Sequence, residues 1–222
     1  MRRRGVVDWK LIGTSRADHA AVINAMAKEI KMSLPPLKWR PSPNFSSRNG
    51  SRVDLCVIHD CEGSYQGSID WFAQKQSKVS AHFVIKEDGS EATQMVDLAD
   101  KGWHCVAFNS RSVGFEMAGF AAKGFASVEW EAAANILAFH LHHLQIPLRW
   151  ARAGVGPGFC SHFDLGKAGG GHRDPTTDPA KWQQFVALVT AAYNKGSFPP
   201  IWAPEHEASK CGLAAAEVAH VA

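Results

Sequence analysis

Three short apolar runs, each carrying an ionisable residue, constrain the fold of this chain more than any other feature. The runs read VDLCVIHD at 53–60, VGFEMAGF at 113–120 and GFCSHFDL at 158–165. Their length and apolarity are typical of strands buried in a sheet. They place His59, Glu116 and His162 among apolar neighbours, where an unpaired charge is costly to bury. Since strand ends of one sheet lie near each other, we expect these three side chains to meet.

A helix and a hairpin are expected between the first two runs. Residues 67–77 have helical character, and residues 80–96 contain two strand-like runs around Asp88 and Gly89, a strong hairpin signal. Residues 99–112 are expected to form a loop.

Two longer helices follow. The first is expected to be capped by Ser127 and stopped by Pro147, and the second to start with Asp178 as cap and Pro179 in its first turn. Strands and helices interleave without strict alternation. The sequence therefore predicts an α/β fold with a central mixed β-sheet flanked by helices.

Composition is that of an ordinary globular chain. The 222 residues are 45% hydrophobic and 20% charged, and the formal net charge is only +3. This excludes a disordered or fibrous protein, and so mild a charge does not indicate a nucleic-acid partner. Five cysteines without a CxxC pair suggest neither a zinc ribbon nor a disulfide framework.

The amino terminus, MRRRGVVDWKLIG, begins like a signal peptide, but Asp8 and Lys10 interrupt its apolar stretch. We therefore expect no signal peptide and, without an apolar run of about 18 residues, no membrane span. Synthesis in a cytoplasm is the expectation that follows.

The chain divides into three parts by composition. Residues 1–50 are expected to be a lead-in, with a helix capped by Ser15 and then an irregular Pro-rich strap, LPPLKWRPSPNFSSRNGS. Residues 51–196, which contain all three apolar runs, are expected to form the main domain and to carry any functional site. Residues 197–222 read as a Pro- and Ala-rich tail.

Each ionisable candidate has a plain structural explanation when taken alone. His59 could be a hydrogen-bonded core histidine, Glu116 a salt-bridge partner, and His172 and Asp174 ordinary loop polarity. Taken together, several ionisable groups buried among apolar residues are most simply explained by a metal ion that they bind. Two imidazoles with a carboxylate or thiolate, and one position left open, are typical of a catalytic zinc site.

The segment from Val53 to Trp182 resembles the zinc-dependent N-acetylmuramoyl-L-alanine amidases, the amidase-2 or peptidoglycan-recognition-protein fold that includes amidase-type phage lysozymes. Five ordered motifs carry the resemblance: VIHDCEG, SAHFVIKEDG, GWHCVAFNSRSVGFEMAG, GFCSHFDL and GGGHRDP. The chain outside this segment is not covered by it.

The resemblance implies a role for each candidate. His59, His162 and Asp174 would hold one Zn²⁺ ion, Glu116 would act as proton shuttle, and His172 would face the reacting carbonyl. Two departures stand out: Ala81 lies where some members have a tyrosine, and the third ligand is a carboxylate rather than a cysteine. Catalysis by such a tyrosine is excluded, which gives Glu116 more weight.

Another register is open at the last two ligands, because GHRD and TDP also look like family motifs. In that register His172 and Asp178 would replace His162 and Asp174. We prefer His162 and Asp174, because the apolar run GFCSHFDL would hold a ligand rigidly and the glycines before His172 would not.

The remaining histidines and cysteines are expected to have supporting roles. His82 and His104 would line or support the site. The three histidines of the long helix are read as surface groups or as groups behind the ligands, and two cysteines as packing residues or stray ligands: His140, His142, His143, Cys61 and Cys160.

The activity implied is hydrolysis of the amide between N-acetylmuramic acid and L-alanine in peptidoglycan, as in a bacteriolytic phage endolysin that degrades the cell wall. Alternatives are a non-catalytic peptidoglycan-binding module, a zinc peptidase acting within the peptide, and a cytoplasmic muropeptide-recycling amidase. The expected partner is peptidoglycan or a muropeptide, without nucleic acid, and the expected state is a monomer made in the (host) cytoplasm.

Overall fold

The computed structural model describes residues 34–196, 198 and 199. The expected helix capped by Ser15 and nearly all of the predicted tail lie outside the described residues. The described residues form eight strands: β1 (Leu37–Trp39), β2 (Phe45–Ser47), β3 (Leu55–Asp60), β4 (Phe83–Ile85), β5 (Ala92–Gln94), β6 (Asp100–Gly102), β7 (Ser112–Met117) and β8 (Gly158–Ser161).

Six of these strands form one mixed sheet in the order β1-β5-β4-β7-β3-β8. Strand β3 pairs in parallel with both β7 and β8, and β4 pairs in parallel with β7. The hairpin partner β5 runs antiparallel to β4, and β1 runs parallel to β5 at the edge. Strands β2 and β6 form a separate antiparallel pair. The predicted mixed sheet and the hairpin are confirmed.

Helices cover both faces of the main sheet. Helix α1 (Tyr65–Phe72) packs on one face, and α2 (Ser127–His143) and α3 (Pro179–Lys195) pack on the other. The larger core lies between the sheet and α2 and α3, and includes Ile58, Phe83, Phe115, Leu137 and Phe185. Burial of such side chains stabilises the fold by about 1.5–3 kcal/mol each. Short 3₁₀ turns connect several elements, among them Val106–Arg111 and Phe163–Gly169.

Two segments are more regular than the sequence predicts. The strap at residues 34–51 contains β1 and β2, and the expected loop at 99–112 contains β6. Each of these strands has three residues, and each is held by a partner far along the chain: β1 by β5, and β2 by β6. Pairing of this kind leaves little trace in the local pattern.

The ends of the two long helices differ in how well they were predicted. Ser127 is not the cap of α2. Ala126 occupies that position with extended backbone and no side-chain cap bond. The helix also ends at His143, before Pro147, and Gln145 has a left-handed φ of 55°. The predicted cap of α3 is confirmed, since the side chain of Asp178 accepts a hydrogen bond from the Ala180 N–H.

His140 lies in the core, not at the surface or behind the ligands as expected. Its ring packs against Phe83 and Phe115, with centroid distances of 4.6 and 5.0 Å, and its Nδ1 lies 2.8 Å from the Ile136 carbonyl oxygen. His142 and His143 are exposed, as expected. The four described cysteines are free thiols. None of the helices in the described part of the chain has the length and apolarity that crossing a bilayer requires.

Candidate metal centre

Three of the sequence-predicted side chains lie at the carboxyl ends of adjacent parallel strands. His59 near the end of β3 and Glu116 near the end of β7 occupy directly paired positions. His162 follows β8 immediately, and its backbone N–H donates to the Ile58 carbonyl at 3.0 Å. Ligands of open α/β sheets bind beyond the carboxyl ends of the strands. The sheet therefore brings the three groups to one edge.

Asp174 reaches the same edge from a loop. Its carbonyl oxygen accepts a hydrogen bond from the Phe163 N–H at 2.9 Å, which ties the loop to the segment after β8. Its carboxylate Oδ2 accepts a hydrogen bond from the Asp60 N–H at 3.2 Å. Because both backbone and side chain are held, the carboxylate has a defined position beside the two histidines.

The donor atoms of His59, His162 and Asp174 form a small triangle. The two Nδ1 atoms are 2.9 Å apart, and the carboxylate oxygens lie 3.1 Å from His162 Nδ1 and 3.5 Å from His59 Nδ1. Ligand atoms on a tetrahedral zinc ion, with bonds of about 2.0–2.1 Å, are about 3.3 Å apart. The spacing and the chemistry of this donor set therefore fit zinc.

The hydrogen bonds of His162 also favour a cation at this point. Its Nε2 lies 2.8 Å from the Gly169 carbonyl, which can only accept, so Nε2 carries the hydrogen. In the neutral ring Nδ1 is then a lone pair that faces the Asp174 carboxylate. Two electron-rich atoms at this distance repel each other unless a positive charge lies with them.

The electrostatics of the three groups agree with that requirement. Burial opposes a charge on His162, but the hydrogen bond to Asp174 and its charge raise the pKa of the imidazole above its usual value. Burial likewise opposes a charged Asp174, yet hydrogen bonding to His162 and His59 holds its pKa well below the usual range. Burial, and then His162, lower the pKa of His59 to about 4. The site thus attracts one positive charge, either a proton or a metal ion.

Glu116 lies in the same cleft, which has a volume of about 380 Å³. Its side chain is buried, and burial raises the pKa of its carboxyl well above the usual value, followed by the charges of Asp174 and Asp60. A carboxyl in such surroundings readily takes up a proton.

His172 lies at the mouth of the cleft. Its ring stacks on that of His162, with centroids 4.4 Å apart and planes at 14°. Its Nδ1 is 3.9 Å from Asp174 Oδ1, and 63% of its side chain is exposed. It is therefore close to the cluster but free to meet a bound molecule from the solvent side.

The alternative register is not supported by the geometry. Asp178 is exposed and caps α3, so its carboxylate is engaged away from His172 and the cluster. Within the described residues, the group with metal-ligand spacing is His59, His162 and Asp174, whose ligand atoms all lie within 4.8 Å of one another.

The other candidates take different positions. Cys160 is fully buried in an apolar cluster, whereas Cys61 is half-buried and lines the cleft. His82 is completely buried, and its ring nitrogens lie 2.9 Å from Arg48 Nη2 and 3.1 Å from the Gly114 nitrogen. His104 lines the cleft and contacts His59 directly.

Several cleft residues were not recognised from the sequence. The walls include Asp60, Trp71, Val79, Trp103 and Arg173. Trp71 lies on α1 outside the buried positions Tyr65, Ser68, Ile69 and Phe72 and is 50% exposed. A single exposed aromatic side chain is ordinary on a protein surface, so the sequence gives no signal for Trp71, and its position in the cleft wall identifies it.

Known proteins are similar to this chain in sequence and in fold. The family model described as N-acetylmuramoyl-L-alanine amidase, Amidase_2, matches residues 49–181. N-acetylmuramoyl-L-alanine amidase A of Achromobacter lyticus is 36% identical over 97 residues, which are 43% of this chain and 52% of that protein. The chain thus matches about half the length of this curated relative.

Two solved structures show the same architecture. The hydrolase AmiA of Staphylococcus aureus, in complex with its ligand, superposes with a TM-score of 0.64 at 17% identity, over 82% of this chain and 95% of AmiA. A mutant endolysin from Bacillus subtilis superposes with a TM-score of 0.56 at 18% identity, over 70% of this chain and 99% of the endolysin. At these identities the similarity establishes the fold.

The family match covers more than half of the 222 residues. It includes the strands that carry His59 and Glu116 and the loop that carries Asp174. The chain belongs to the N-acetylmuramoyl-L-alanine amidase family.

Proposed function

We propose that this protein is a zinc-dependent amidase that hydrolyses the bond between the lactyl carbonyl of N-acetylmuramic acid and the amine of L-alanine in peptidoglycan. The observation that carries the proposal is the convergence of His59, His162 and Asp174 beside a buried glutamate. The substrate is taken from the description of the family, and two histidines with one carboxylate are a set of ligands that zinc has in hydrolases.

Each ligand is held before a metal binds. His59 is fixed within β3, His162 donates through Nε2 to Gly169, and Asp174 is tied to the Asp60 N–H. Such pre-organisation reduces the cost of assembling the site. A zinc ion held there would act as a Lewis acid towards the scissile carbonyl and make water more acidic.

Glu116 is the residue we assign to proton transfer. It is the carboxyl that β7 places next to His59, inside the cleft. It would accept a proton from the attacking water and return it to the leaving amine of L-alanine. A carboxyl with a raised pKa suits both steps, because it holds the proton between them.

His172 is assigned to the carbonyl oxygen. Its exposed ring lies over the cleft mouth, within reach of a molecule bound at the cluster. From there it can donate a hydrogen bond to the oxygen that becomes negative during attack. Removal of such a donor typically costs about 2.7–4 kcal/mol of barrier.

Digestion of purified peptidoglycan, followed by mass spectrometry, tests the proposal. An amidase releases intact stem peptides with a free L-alanine amine and leaves the glycan strands whole. Release of peptide fragments would indicate the peptidase alternative, and tight wall binding without products would indicate a non-catalytic binding module. Either result would refute the amidase assignment.

The endolysin role belongs to the same proposal. Under that role the enzyme acts on intact cell walls, whereas a recycling enzyme prefers soluble muropeptides. Comparison of the two substrates at equal concentrations of bonds separates the roles. A preference for intact walls supports an endolysin, and a strong preference for soluble muropeptides overturns that assignment.

A further inference from the structure

A second imidazole lies directly behind His59. His104 follows β6, and its Nδ1 is 2.9 Å from His59 Nε2, the ring nitrogen that points away from the cluster. The two rings are nearly perpendicular, at 84°, with centroids 5.0 Å apart. His104 thus contacts the proposed ligand His59 but is not itself one of the three residues whose atoms would bind the metal.

The direction of the His59–His104 hydrogen bond follows from the backbone carbonyl of Phe108, which is linked to His104 through the Ser112 hydroxyl. The Ser112 hydroxyl lies 2.9 Å from the Phe108 carbonyl, which can only accept, so the single hydroxyl hydrogen points there. With that hydrogen engaged, Ser112 Oγ is an acceptor for His104 Nε2, which lies at 3.2 Å, and for the Cys105 thiol, whose Sγ also lies at 3.2 Å. In the neutral ring the hydrogen is on Nε2, and His104 Nδ1 is a lone pair.

The same logic fixes the proton on His59. Since His104 Nδ1 accepts, His59 Nε2 must donate, and in neutral His59 the Nδ1 atom is left as a lone pair. That lone pair faces His162 and Asp174.

The backbone of β7 makes room for His104. A Cβ at Gly114 would lie 2.6 Å from His104 Nδ1 and 2.8 Å from its Cγ, far closer than side chains approach. Gly114 is not among the glycines with positive φ, so the glycine is not explained by backbone conformation. What it provides is space for the ring.

We propose that His104 is a positioning residue that holds His59 in the tautomer and orientation required of a zinc ligand, through the hydrogen-bonded series Phe108, Ser112, His104 and His59. The inference rests on the proposed function in taking His59 as a ligand. Without His104, His59 can rotate or move its hydrogen to Nδ1, and both changes oppose metal binding. Loss of such an outer partner typically weakens metal binding about 10- to 100-fold.

A pair of nearly isosteric variants tests the proposal in the full-length protein. In His104→Asn the carboxamide oxygen takes the place of Nδ1 and can still accept from His59. In His104→Leu nothing accepts. Zn²⁺ affinity is measured by competition with a chromophoric chelator, and ligand geometry by the visible absorption of the Co²⁺ form. Thermal unfolding of the metal-free variants monitors the fold.

We expect His104→Leu to bind Zn²⁺ about 10- to 100-fold more weakly than wild type, with an altered Co²⁺ spectrum, and His104→Asn to recover most of the affinity. Gly114→Ala should resemble His104→Leu, because it displaces the ring. His82→Leu is the control for packing: its ring lies against that of His104, with centroids 5.6 Å apart, but its nitrogens contact Arg48 and Gly114 rather than His59.

Two results would overturn the proposal, and they are distinguishable from failure of the proposed function. The first is wild-type Zn²⁺ affinity in His104→Leu while His59→Ala loses the metal. The second is an equal loss in His82→Leu and His104→Leu, which would indicate general packing. If wild type binds Zn²⁺ no better than His59→Ala, the metal assignment itself is wrong and this inference falls with it.

Discussion

His59 and Glu116 occupy paired positions on the neighbouring parallel strands β3 and β7. Paired residues of adjacent strands point to the same face of a sheet, so a proposed ligand and a proposed base are adjacent without any loop between them. Sites built on strands are held more precisely than sites on loops. Because the ligand role and the base role belong to different side chains, a point substitution can remove either role separately.

Glu116→Gln should abolish most turnover and leave zinc binding intact. The amide keeps the shape of the carboxyl but cannot accept the proton, and loss of a positioned base typically costs about 100- to 10,000-fold in rate. The measurements are hydrolysis of purified peptidoglycan and zinc content. Glu131→Gln on α2, outside the cleft, is the control. Near-normal hydrolysis by Glu116→Gln would eliminate the proton-transfer role.

Asp174→Asn should lose zinc, whereas His172→Ala should keep it. The first substitution removes the negative charge that faces His59 and His162, and the second removes a ring that only stacks at the cleft mouth. Chelation should lower the stability of wild type but not of Asp174→Asn. For free zinc at 1,000 times Kd the difference is about 4.1 kcal/mol. Equal zinc content in the two variants would contradict the ligand assignment.

Glu129→Gln should stabilise the protein at alkaline pH more than at pH 5. Glu129 is buried, its Oε1 has no hydrogen-bond partner, and burial, followed by the charge of Glu87, raises the pKa of its carboxyl to about 8. The unfolded chain releases this proton near pH 4.3, so stability falls as pH rises from there to about 8. The expected gain at pH 9 relative to pH 5 is about 4 kcal/mol.

Denaturant unfolding at the two pH values measures this gain. Glu131→Gln, two residues further along the same helix and more exposed, is the control. A gain for Glu129→Gln that does not change with pH would show that the carboxyl is already ionised in the folded protein.

His140→Leu should make the metal-free protein less sensitive to acid. Burial lowers the pKa of this imidazole to about 3, although its hydrogen bond to Ile136 opposes the shift. The unfolded ring is protonated below about pH 6.5, so wild type loses stability as pH falls through that value towards 3. At pH 4 the loss attributable to His140 is about 3 kcal/mol. Denaturation at pH 7 and pH 4 should show a smaller drop for His140→Leu, and an equal drop would contradict the assignment.

Trp71→Ala should raise KM with little effect on zinc content. The indole is 50% exposed on the cleft wall and is available to a substrate ring. A contact of about 1.4 kcal/mol corresponds to a tenfold change in affinity, so we expect KM to rise about 3- to 10-fold. Val128→Ala, which removes a side chain with 51% exposure elsewhere, is the control. Unchanged KM in Trp71→Ala would show that the substrate does not reach this wall.

The parts of the fold that follow from local pattern were predictable. Strands β3, β4, β5 and β7 and the two long helices carry apolar runs or helical periodicity of their own. Strands β1, β2 and β6 do not, because their residues, LKW, FSS and DKG, lie in stretches without an apolar run or an alternating pattern. Their partners lie elsewhere in the chain, so only the assembled structure reveals them.

The sequence predicted which residues form the candidate site, but not the hydrogen bonds that link them to the residues behind. His59, Glu116 and His162 stand out as ionisable groups within apolar runs, and Asp174 as part of a polar cluster with His172, although its role as a ligand was implied by the family resemblance. The role of His104 depends on where the Phe108 carbonyl and the Ser112 hydroxyl lie. Those positions are set by backbone geometry, which residue spacing does not encode.

The edge strand β1 has a consequence for the backbone groups at the edge of the sheet. It covers the outer side of β5, whose backbone groups would otherwise be free to pair. A chain shortened to begin at residue 51 would keep every proposed catalytic group and still present an open strand to its neighbours. Uncovered strands of this kind invite association between molecules. We therefore expect the shortened chain to associate with its own copies more readily than the full chain does.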